Sequence, residues 1–338
     1  MSDRKNLSDH FLARCGWADA QRCFLAGDAS DRRYDRLTRH SGESVVLMDS
    51  PPGKGDDPAS FVKIAEYLHS AGLSPPKIFA MDLAHGFLLI EDLGDALFAR
   101  VLEADPELEA DLYRAAAQVL VHLQAQPAPS GLDNLTAQEW ATAAAFALDW
   151  YAFSATGVRI DTTGFIAALT AALHKHADGP RVTILRDYHA ENLVLLPKRQ
   201  GVSAVGLLDF QLAQLGQPGY DLVSLLQDAR RDVSPALADT IVTEFARETR
   251  ADPNQFRTGY AVLGAQRSLR ILGIFARLCL VGGKSSYLRL LPRVWVHLQH
   301  NLAHPELSDL SSQCRALLPE PTDEIIQRIR TKCATHSL

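Results

Sequence analysis

The chain has 338 residues, of which 47% are hydrophobic, and its formal net charge is -6. This is enough apolar material to bury the core of one large or two moderate globular domains. The mild acidity provides no basic surface, and no stripe of Lys and Arg with interleaved aromatic residues occurs, so nucleic acid is excluded as an expected partner.

The cysteines and the termini bear on the cellular compartment. The odd set of five cysteines contains no CxxC pair, which argues against a disulfide framework and a thiolate zinc site. The polar start "MSDRKNLSDHF" lacks the apolar core of a signal peptide, and Arg277 interrupts the apolar run "ILGIFARLCLVGG". We therefore expect a cytoplasmic protein without a membrane span.

Residues 1–94 are predicted to form a small β-rich domain. A short helix at 7–15 precedes β segments near 22–26, 32–39 and 44–49. The stretch "ASFVKIAEYLHSAG" has apolar residues at helical spacing and ends at Gly72. Two further strands, joined by a turn around His85 and Gly86, complete this domain, and the composition changes after Gly94.

Residues 95–338 are predicted to form a second, mainly helical domain. The segment 95–177 shows the 3.6-residue period of amphipathic helices, and the chain after Tyr220 shows it again. Short strands return between them, at 182–185, 193–196 and 204–208. The expected fold class is therefore α+β, with a β-rich first lobe and a larger helical second lobe that contains a small β insert.

The stretch "ILRDYHAENLVLL", residues 184–196, places an unusual density of polar groups between two apolar runs. Asp187 and Asn192 stand five positions apart, and Asp209 follows in "LLDFQ" after the next apolar strands. Phosphoryl transfer needs a carboxylate to receive the proton of the attacking hydroxyl and two oxygen ligands that hold magnesium against the ATP phosphates. The D-x-x-x-x-N spacing with a following D-F is the layout of the protein-kinase catalytic loop and metal-binding motif.

Several motifs resemble a known family. "LRDYHAENL", "LLDFQLA" and "GQPGYDLVSLL" are similar to the motifs of the aminoglycoside phosphotransferase and choline kinase superfamily, whose members have a bilobal protein-kinase-like fold. "GDASDRRYDRL", "VVLMDSPP" and "FLLIEDLG" resemble the bacterial subgroup that phosphorylates the anomeric hydroxyl of N-acetylmuramic acid and N-acetylglucosamine in cell-wall recycling. The resemblance covers roughly residues 22 to 225.

The resemblance implies a role for each matching residue. Asp187 is the expected catalytic base, Asn192 and Asp209 are the expected magnesium ligands, and Asp221 is expected to brace the catalytic loop. An N-cap of a helix starting near Leu222 is the alternative reading of Asp221. The nucleotide is expected against the phosphate turn and the backbone of the hinge "IEDLG", at Gly27, Asp28, Ala29, Ser30, Glu91 and Leu93.

The chain departs from the superfamily pattern at two positions. Leu185 stands where a histidine usually precedes the catalytic Asp, and Met48 stands where the third strand usually carries the lysine that holds the α- and β-phosphates. A methionine offers phosphate no charge. Arg32, Arg33 and Lys63 are the candidates for supplying it, and Arg33 is favoured because it closely follows the phosphate turn.

The substrate contacts are predicted in the helical domain and beside the catalytic loop. An N-acetylmuramate carboxylate favours arginine, whereas a polycationic aminoglycoside favours carboxylates. Arg267, Arg270 and Arg277 are spaced to share roughly one helix face, and His189 and Gln211 are further candidate contacts.

The sequence thus predicts an ATP- and Mg²⁺-dependent kinase of a small hydroxyl compound, with an amino sugar phosphorylated at its anomeric carbon as the favoured substrate. The alternatives are an aminoglycoside or choline-like kinase and a catalytically silent nucleotide-binding module. No nucleic acid or membrane partner is expected, and the sequence specifies no oligomeric state.

Overall fold

The structure is a computed structural model that describes residues 2–27, 32–55 and 57–336. Its strands are β1 (Gln21–Gly27), β2 (Arg33–Thr38), β3 (Ser44–Asp49), β4 (Ile78–Asp82), β5 (Phe87–Glu91), β6 (Val182–Ile184), β7 (Leu193–Leu195), β8 (Val205–Leu207) and β9 (Gln214–Gly216). Its α-helices are α1 (Ser2–Arg14), α2 (Pro58–Ser70), α3 (Phe98–Ala104), α4 (Glu109–Gln124), α5 (Ala137–Ala144), α6 (Phe153–Thr156), α7 (Thr163–His176), α8 (Tyr220–Leu226), α9 (Pro235–Glu248), α10 (Pro253–Leu280), α11 (Leu291–Leu302), α12 (Ser308–Leu317) and α13 (Asp323–Arg330). A π-helix spans Ala147–Ala152.

The contacts between residues divide the chain into two compact units. The first comprises Met1–Gln126 and Glu191–Ala213, and the second comprises Pro127–Ala190 and Gln214–Leu338. The boundary at residue 94 remains a prediction from composition.

The first unit is built on a five-stranded antiparallel sheet with the order β1-β2-β3-β5-β4. The central strand β3, "SVVLMD", is an apolar run because both of its faces are covered, and Val45 through Met48 are all buried. The register pairs Tyr34 of β2 and Leu88 of β5 with Met48.

Side chains alternate between the two faces of this sheet, and α1 covers one of them. Phe11 and Leu12 of α1 lie in one apolar cluster with Leu37, Leu47 and Phe87, which point to the same face of their strands. The polar groups on this face are paired with α1 as well, since Arg4 donates from Nε to Asp49 at 2.9 Å. The face that carries Met48 is the opposite one.

A short antiparallel hairpin, β7 and β8, also belongs to the first unit. Leu193 pairs with Leu207, and the Leu207 amide donates to the Ser74 carbonyl at 2.9 Å. Gly206 lies where a larger residue would press on Val194 and Leu93, since an added Cβ would sit 3.1 Å and 3.0 Å from their side-chain atoms. The hairpin therefore packs tightly.

The second unit is helical, with α10 at its centre. This helix of 28 residues is capped by Asp252, whose carboxylate accepts from the Gln255 amide at 2.8 Å. Gly273 lets α10 approach the backbone of Phe146, which a Cβ at this position would overlap. A two-stranded ladder of β6 and β9 leads into the segment that begins at Leu185.

The structure confirms the expected α+β class, with a five-stranded antiparallel sheet, two short two-stranded ladders and a mainly helical remainder in the described residues. The strands predicted near 22–26, 32–39 and 44–49 are present as β1, β2 and β3, and both strands of residues 75–94 are present. The sequence pattern missed β9, which has three residues, and placed the start of α1 too late. Across the described ranges, none of the helices combines the length and apolarity that crossing a bilayer requires.

Candidate active site

The predicted catalytic base lies in a strained turn that directly follows β6. Arg186 has a φ of 74°, which is a left-handed conformation that costs a side-chain-bearing residue about 1 to 2 kcal/mol. The Asp187 amide donates to the Leu185 carbonyl at 2.9 Å, which closes the turn. A strained backbone of this kind persists only where its surroundings fix it.

Asp221 fixes this turn from α8. Its carboxylate accepts the Leu185 amide at 2.6 Å and the Arg186 amide at 2.8 Å, and the residue is fully buried. The helix begins at Tyr220 and its N-cap is Gly219, so Asp221 is not the cap residue that the alternative reading requires. Burial raises the pKa of the Asp221 carboxyl to about 6, although the two amide hydrogen bonds act in the opposite direction.

Arg267 of α10 approaches Asp187 within the second unit. Its Nη2 atom lies 3.9 Å from Asp187 Oδ1, its Nη1 atom donates to the Tyr220 hydroxyl at 3.3 Å, and its guanidinium lies 5.5 Å from the centre of the Tyr220 ring. Burial lowers the pKa of Arg267, but the neighbouring Tyr220 and Asp187 outweigh burial and raise it. Arg267 is therefore a permanent cation beside the predicted base.

Further basic groups surround this turn. Burial lowers the pKa of Arg186, and repulsion from Arg270 and Arg267 lowers it further, so both guanidinium groups lie close enough to Arg186 to affect it. His189 is buried, and burial together with the charge of Arg230 lowers its pKa to about 3. His189 is thus neutral at physiological pH and acts as a hydrogen-bonding group, whereas the arginines favour an anion.

The predicted metal ligands lie at the same end of the β7–β8 hairpin. Asn192 directly precedes β7, Asp209 follows β8 by two residues, and the Leu208 amide donates to the Asn192 carbonyl at 3.0 Å. Asp209 has a φ of 54°, a left-handed conformation that Asp adopts more readily than most residues. An amide oxygen and a carboxylate at one hairpin end are ligands that Mg²⁺ prefers.

Two buried side chains hold the Asp209 carboxylate. Arg32 donates from Nη2 at 3.0 Å, and Gln211 donates from Nε2 at 2.9 Å to the same oxygen. Gln211, predicted as a substrate contact, thus lies beside the predicted metal ligand in the first unit. No group of three or more His, Cys, Asp or Glu side chains suited to a metal occurs in the residues that the structure describes. A Mg²⁺ ion on Asn192 and Asp209 would take its other ligands from phosphate and water, as is usual for this ion.

The other predicted nucleotide contacts are distributed over the sheet of the first unit. Gly27 pairs with Arg33 at the end of the β1–β2 ladder, and Asp28, Ala29 and Ser30 lie outside the described residues. The Glu91 amide donates to the Lys77 carbonyl at 2.8 Å, and Leu93 is partly exposed in the segment that follows β5. Met48 is fully buried.

The structure thus assembles the predicted residues in two sets. Asp187, Asp221 and Arg267 lie together in the second unit, where Arg270 is within electrostatic range of Arg186, and Asp209, Gln211 and Arg32 lie together in the first. Arg277 instead lies 5.6 Å from the centre of the Trp150 ring. Sequence reasoning missed Tyr220, which contacts Arg267 from 47 positions away, because no local pattern links residues that far apart.

Comparison with known proteins agrees with this geometry. A family model described as "Phosphotransferase enzyme family" matches residues 22–256. A protein of Caulobacter vibrioides named N-acetylmuramate/N-acetylglucosamine kinase is 37% identical, and the alignment covers 95% of this chain and 98% of the relative. A protein of the same name from Pseudomonas aeruginosa is 32% identical, with coverage of 93% and 94%.

Solved structures give the fold. A choline/ethanolamine kinase family protein from Mesorhizobium loti aligns with a TM-score of 0.60 and 15% identity, covering 97% of this chain and 99% of that chain. The ADP-bound aminoglycoside phosphotransferase APH(2'')-Ib aligns with a TM-score of 0.56 and 10% identity, covering 87% and 96%. These likenesses confirm the expected bilobal kinase fold. The chain belongs to the phosphotransferase enzyme family and is a small-molecule kinase that uses ATP.

Proposed function

We propose that this kinase transfers the γ-phosphoryl group of ATP to the anomeric hydroxyl of N-acetylmuramate and N-acetylglucosamine, as a step in cell-wall recycling. The observation that carries this proposal is the near full-length similarity to curated relatives named for these two substrates. The solved aminoglycoside and choline kinases agree in fold alone, so they do not favour their own substrates for this chain.

The chemistry assigned to Asp187 is general-base catalysis. Its carboxylate accepts the proton of the anomeric hydroxyl as that oxygen attacks the γ-phosphorus, and the bond to the β,γ-bridging oxygen breaks to release ADP. Asp221 keeps the turn in place through the amides of Leu185 and Arg186. Because a misplacement of about 1 Å costs on the order of 100-fold in rate, this support matters for turnover.

Asn192 and Asp209 are the residues proposed to hold Mg²⁺, which when bound neutralises phosphate charge. Arg32 and Gln211 keep the Asp209 carboxylate oriented, since both donate to its Oδ1 atom. Gly27, Glu91 and Leu93 are retained as proposed nucleotide contacts.

The arginines beside Asp187 support an acceptor that carries a carboxylate. Arg267 has 11% side-chain exposure and lies 3.9 Å from Asp187 Oδ1. Arg186 is within electrostatic range of Asp187 and Arg267, and Arg270 is within electrostatic range of Arg186. N-acetylmuramate has a lactyl carboxylate that a guanidinium binds well, whereas a polycationic aminoglycoside would be repelled. His189, neutral because of its burial, is proposed to donate or accept a hydrogen bond with the sugar.

A panel assay tests this proposal. ADP release is measured with N-acetylmuramate, N-acetylglucosamine, an aminoglycoside and choline, for the native protein, Asp187→Ala and the control Asp239→Asn. Asp239 is an exposed carboxylate on α9, paired with Arg257 and outside the proposed machinery. We expect turnover with the two amino sugars only, lost in Asp187→Ala and kept in Asp239→Asn. Turnover with the aminoglycoside or choline but not with the amino sugars would refute the substrate assignment.

The proposed compartment is the cytoplasm, where ATP is available as the phosphoryl donor. The five cysteines are free thiols, as a reducing compartment requires. Cell fractionation with activity measurement checks this, and activity confined to a periplasmic or membrane fraction would contradict it.

A further inference from the structure

We propose that Arg32 is the side chain that binds the α- and β-phosphates of the nucleotide, in place of the lysine that the third strand of this chain lacks. This inference rests on the proposed function only in that the phosphoryl donor is ATP. It departs from the expectation that Arg33 supplies the charge.

The two faces of the sheet separate the two arginines. Arg33 pairs with Asp49 across the β2–β3 ladder, and Tyr34 pairs with Met48. Because successive residues of a strand point to opposite faces, Arg33 lies on the face that α1 covers, whereas Tyr34 lies on the face of Met48. Arg32 directly precedes β2, and continuing this alternation by two residues from Tyr34 assigns it to the Met48 face, where the third-strand lysine is expected.

Arg33 has partners on its own face. Its guanidinium lies 2.8 Å from the buried Asp35 carboxylate and 4.9 Å from the centre of the Phe24 ring. Asp35 also accepts from Arg22 Nε at 2.9 Å, and Arg22 in turn donates to Ser8 of α1 at 3.0 Å. Arg33 is therefore part of a network that joins the sheet to α1.

Arg32 is directed towards the proposed metal ligand instead. Its side chain is 4% exposed and donates from Nη2 to Asp209 Oδ1 at 3.0 Å. A buried guanidinium is costly unless it is paired with an anion, so an arginine at this depth is positioned for acidic oxygens. A Mg²⁺ ion held by Asp209 would bring the nucleotide phosphates to this carboxylate, so a cation in contact with Asp209 would stand next to those phosphates.

The geometry also explains how an arginine that directly precedes the neighbouring strand β2 replaces a lysine. Tyr34 lies directly opposite Met48. We expect Arg32, two residues before Tyr34, to be a diagonal neighbour of Met48, at about 7 to 8 Å between Cα atoms, a distance that long side chains span. A guanidinium binds phosphate through two parallel hydrogen bonds, so it supplies both charge and orientation. Lys63 is exposed and lies on the helix α2, so neither burial nor strand alternation favours it as the phosphate-binding residue.

Calorimetric binding of adenosine and ADP to the full-length protein tests this proposal without turnover, with and without Mg²⁺. We expect Arg32→Gln to weaken ADP binding by about 10- to 100-fold and to leave adenosine binding unchanged, because a charge-assisted hydrogen bond to phosphate is lost. Arg32→Lys keeps the buried charge, so its ADP affinity should fall between those of the native protein and Arg32→Gln. This variant also tests the proposal if Arg32→Gln does not fold. The matched control is Arg22→Gln, an arginine of the same sheet that is also paired with an aspartate, and it should bind ADP as the native protein does.

Three results would overturn the proposal. The first is native ADP affinity in folded Arg32→Gln and Arg32→Lys. The second is an equal loss for adenosine and ADP, since that pattern indicates disturbed packing. The third is a loss of ADP binding in Arg33→Gln with none in Arg32→Gln, which would restore the choice of Arg33. A native protein that binds neither ADP nor ATP would instead refute the nucleotide assignment of the proposed function.

Discussion

Removing the Asp221 carboxylate should impair turnover more than stability, and the stability loss should depend on pH. In Asp221→Ala the amides of Leu185 and Arg186 lose their acceptor in a fully buried site. Arg186 has a φ of 74°, so the turn that carries Asp187 has no intrinsic preference for its shape. We expect kcat to fall by about 100-fold, the effect of a shift of roughly 1 Å in the base.

The effect on unfolding free energy follows from two opposing contributions. Two buried amides without an acceptor cost about 1 to 3 kcal/mol each, or about 4 kcal/mol together. At high pH the native protein must keep a buried carboxylate ionised, and the rise of its pKa from 3.8 to about 6 corresponds to a cost of roughly 3 kcal/mol. The variant avoids this cost. The net destabilisation at about pH 8 is therefore about 1 kcal/mol.

The sign of the pH dependence follows from the raised pKa. The folded protein binds the Asp221 proton more tightly than the unfolded chain does, so this contribution is fully present below pH 3.8 and is lost as pH rises through about 6. Between about pH 8 and about pH 5 the native protein regains about 1.5 kcal/mol that the variant cannot regain. Asp221→Ala should thus be more destabilising at pH 5 than at pH 8.

Urea unfolding at the two pH values, together with kcat at saturating substrate, measures both effects. Asp252→Ala is the control, because it removes a carboxylate that caps α10 by accepting the Gln255 amide. It should cost about 1 kcal/mol at both pH values and leave kcat unchanged. Native kcat in folded Asp221→Ala, or an equal loss of stability at the two pH values, would refute this reasoning.

Three further predictions concern other residues. Arg267→Gln should raise KM for N-acetylmuramate at least about 10-fold more than KM for N-acetylglucosamine, because only the former carries a carboxylate; equal increases would contradict a carboxylate contact. Burial lowers the pKa of His189 to about 3, so the folded protein loses stability as pH falls below 6.5 and the unfolded chain takes up the proton. His189→Gln should therefore lose less unfolding free energy between pH 7 and pH 5 than the native protein does. Urea titrations that give the same loss for both proteins would contradict this prediction. Gly273→Ala should destabilise by about 1 to 3 kcal/mol because its Cβ would overlap the Phe146 backbone. Gly164→Ala in α7 should instead stabilise by about 0.5 to 1 kcal/mol, because beyond its chain neighbours and the backbone of its own helix no described atom lies within 4 Å of the new Cβ. Thermal melts that reverse this order would refute the packing explanation.

The sequence was sufficient for those parts of the fold that local patterns encode. The strands β1 to β5 and the long helix α10 follow from alternation, helical period and glycine or proline boundaries, which act over a few residues. The three-residue strand β9 was missed because its partner, β6, lies about 30 residues earlier and the segment has no period of its own. The π-helix within residues 137–156 likewise leaves no distinct pattern in an alanine-rich run.

In the candidate site, too, the sequence indicated the residues that belong to local motifs but not their distant partners. Spacing and motif similarity pointed to Asp187, Asn192 and Asp209, because the chemistry fixes their residue types. The partners of those residues come from distant parts of the chain: Arg32 meets Asp209 across 177 positions. Arg33 is the first residue of β2 and Arg32 directly precedes it, so only the register of the ladder indicates which of the two follows the Met48 face. The sequence favoured Arg33, whereas the register favours Arg32.

The central claim is that Asp187 activates the anomeric hydroxyl of an amino sugar, and phosphorus NMR of the product tests it most directly. With N-acetylmuramate and ATP we predict one sugar phosphate signal that couples to the anomeric proton and grows in step with ADP. Asp187→Ala should give no such signal at equal protein concentration and equal ADP affinity. A phosphate coupled to any other sugar proton, or the anomeric product formed at the native rate by Asp187→Ala, would contradict the account.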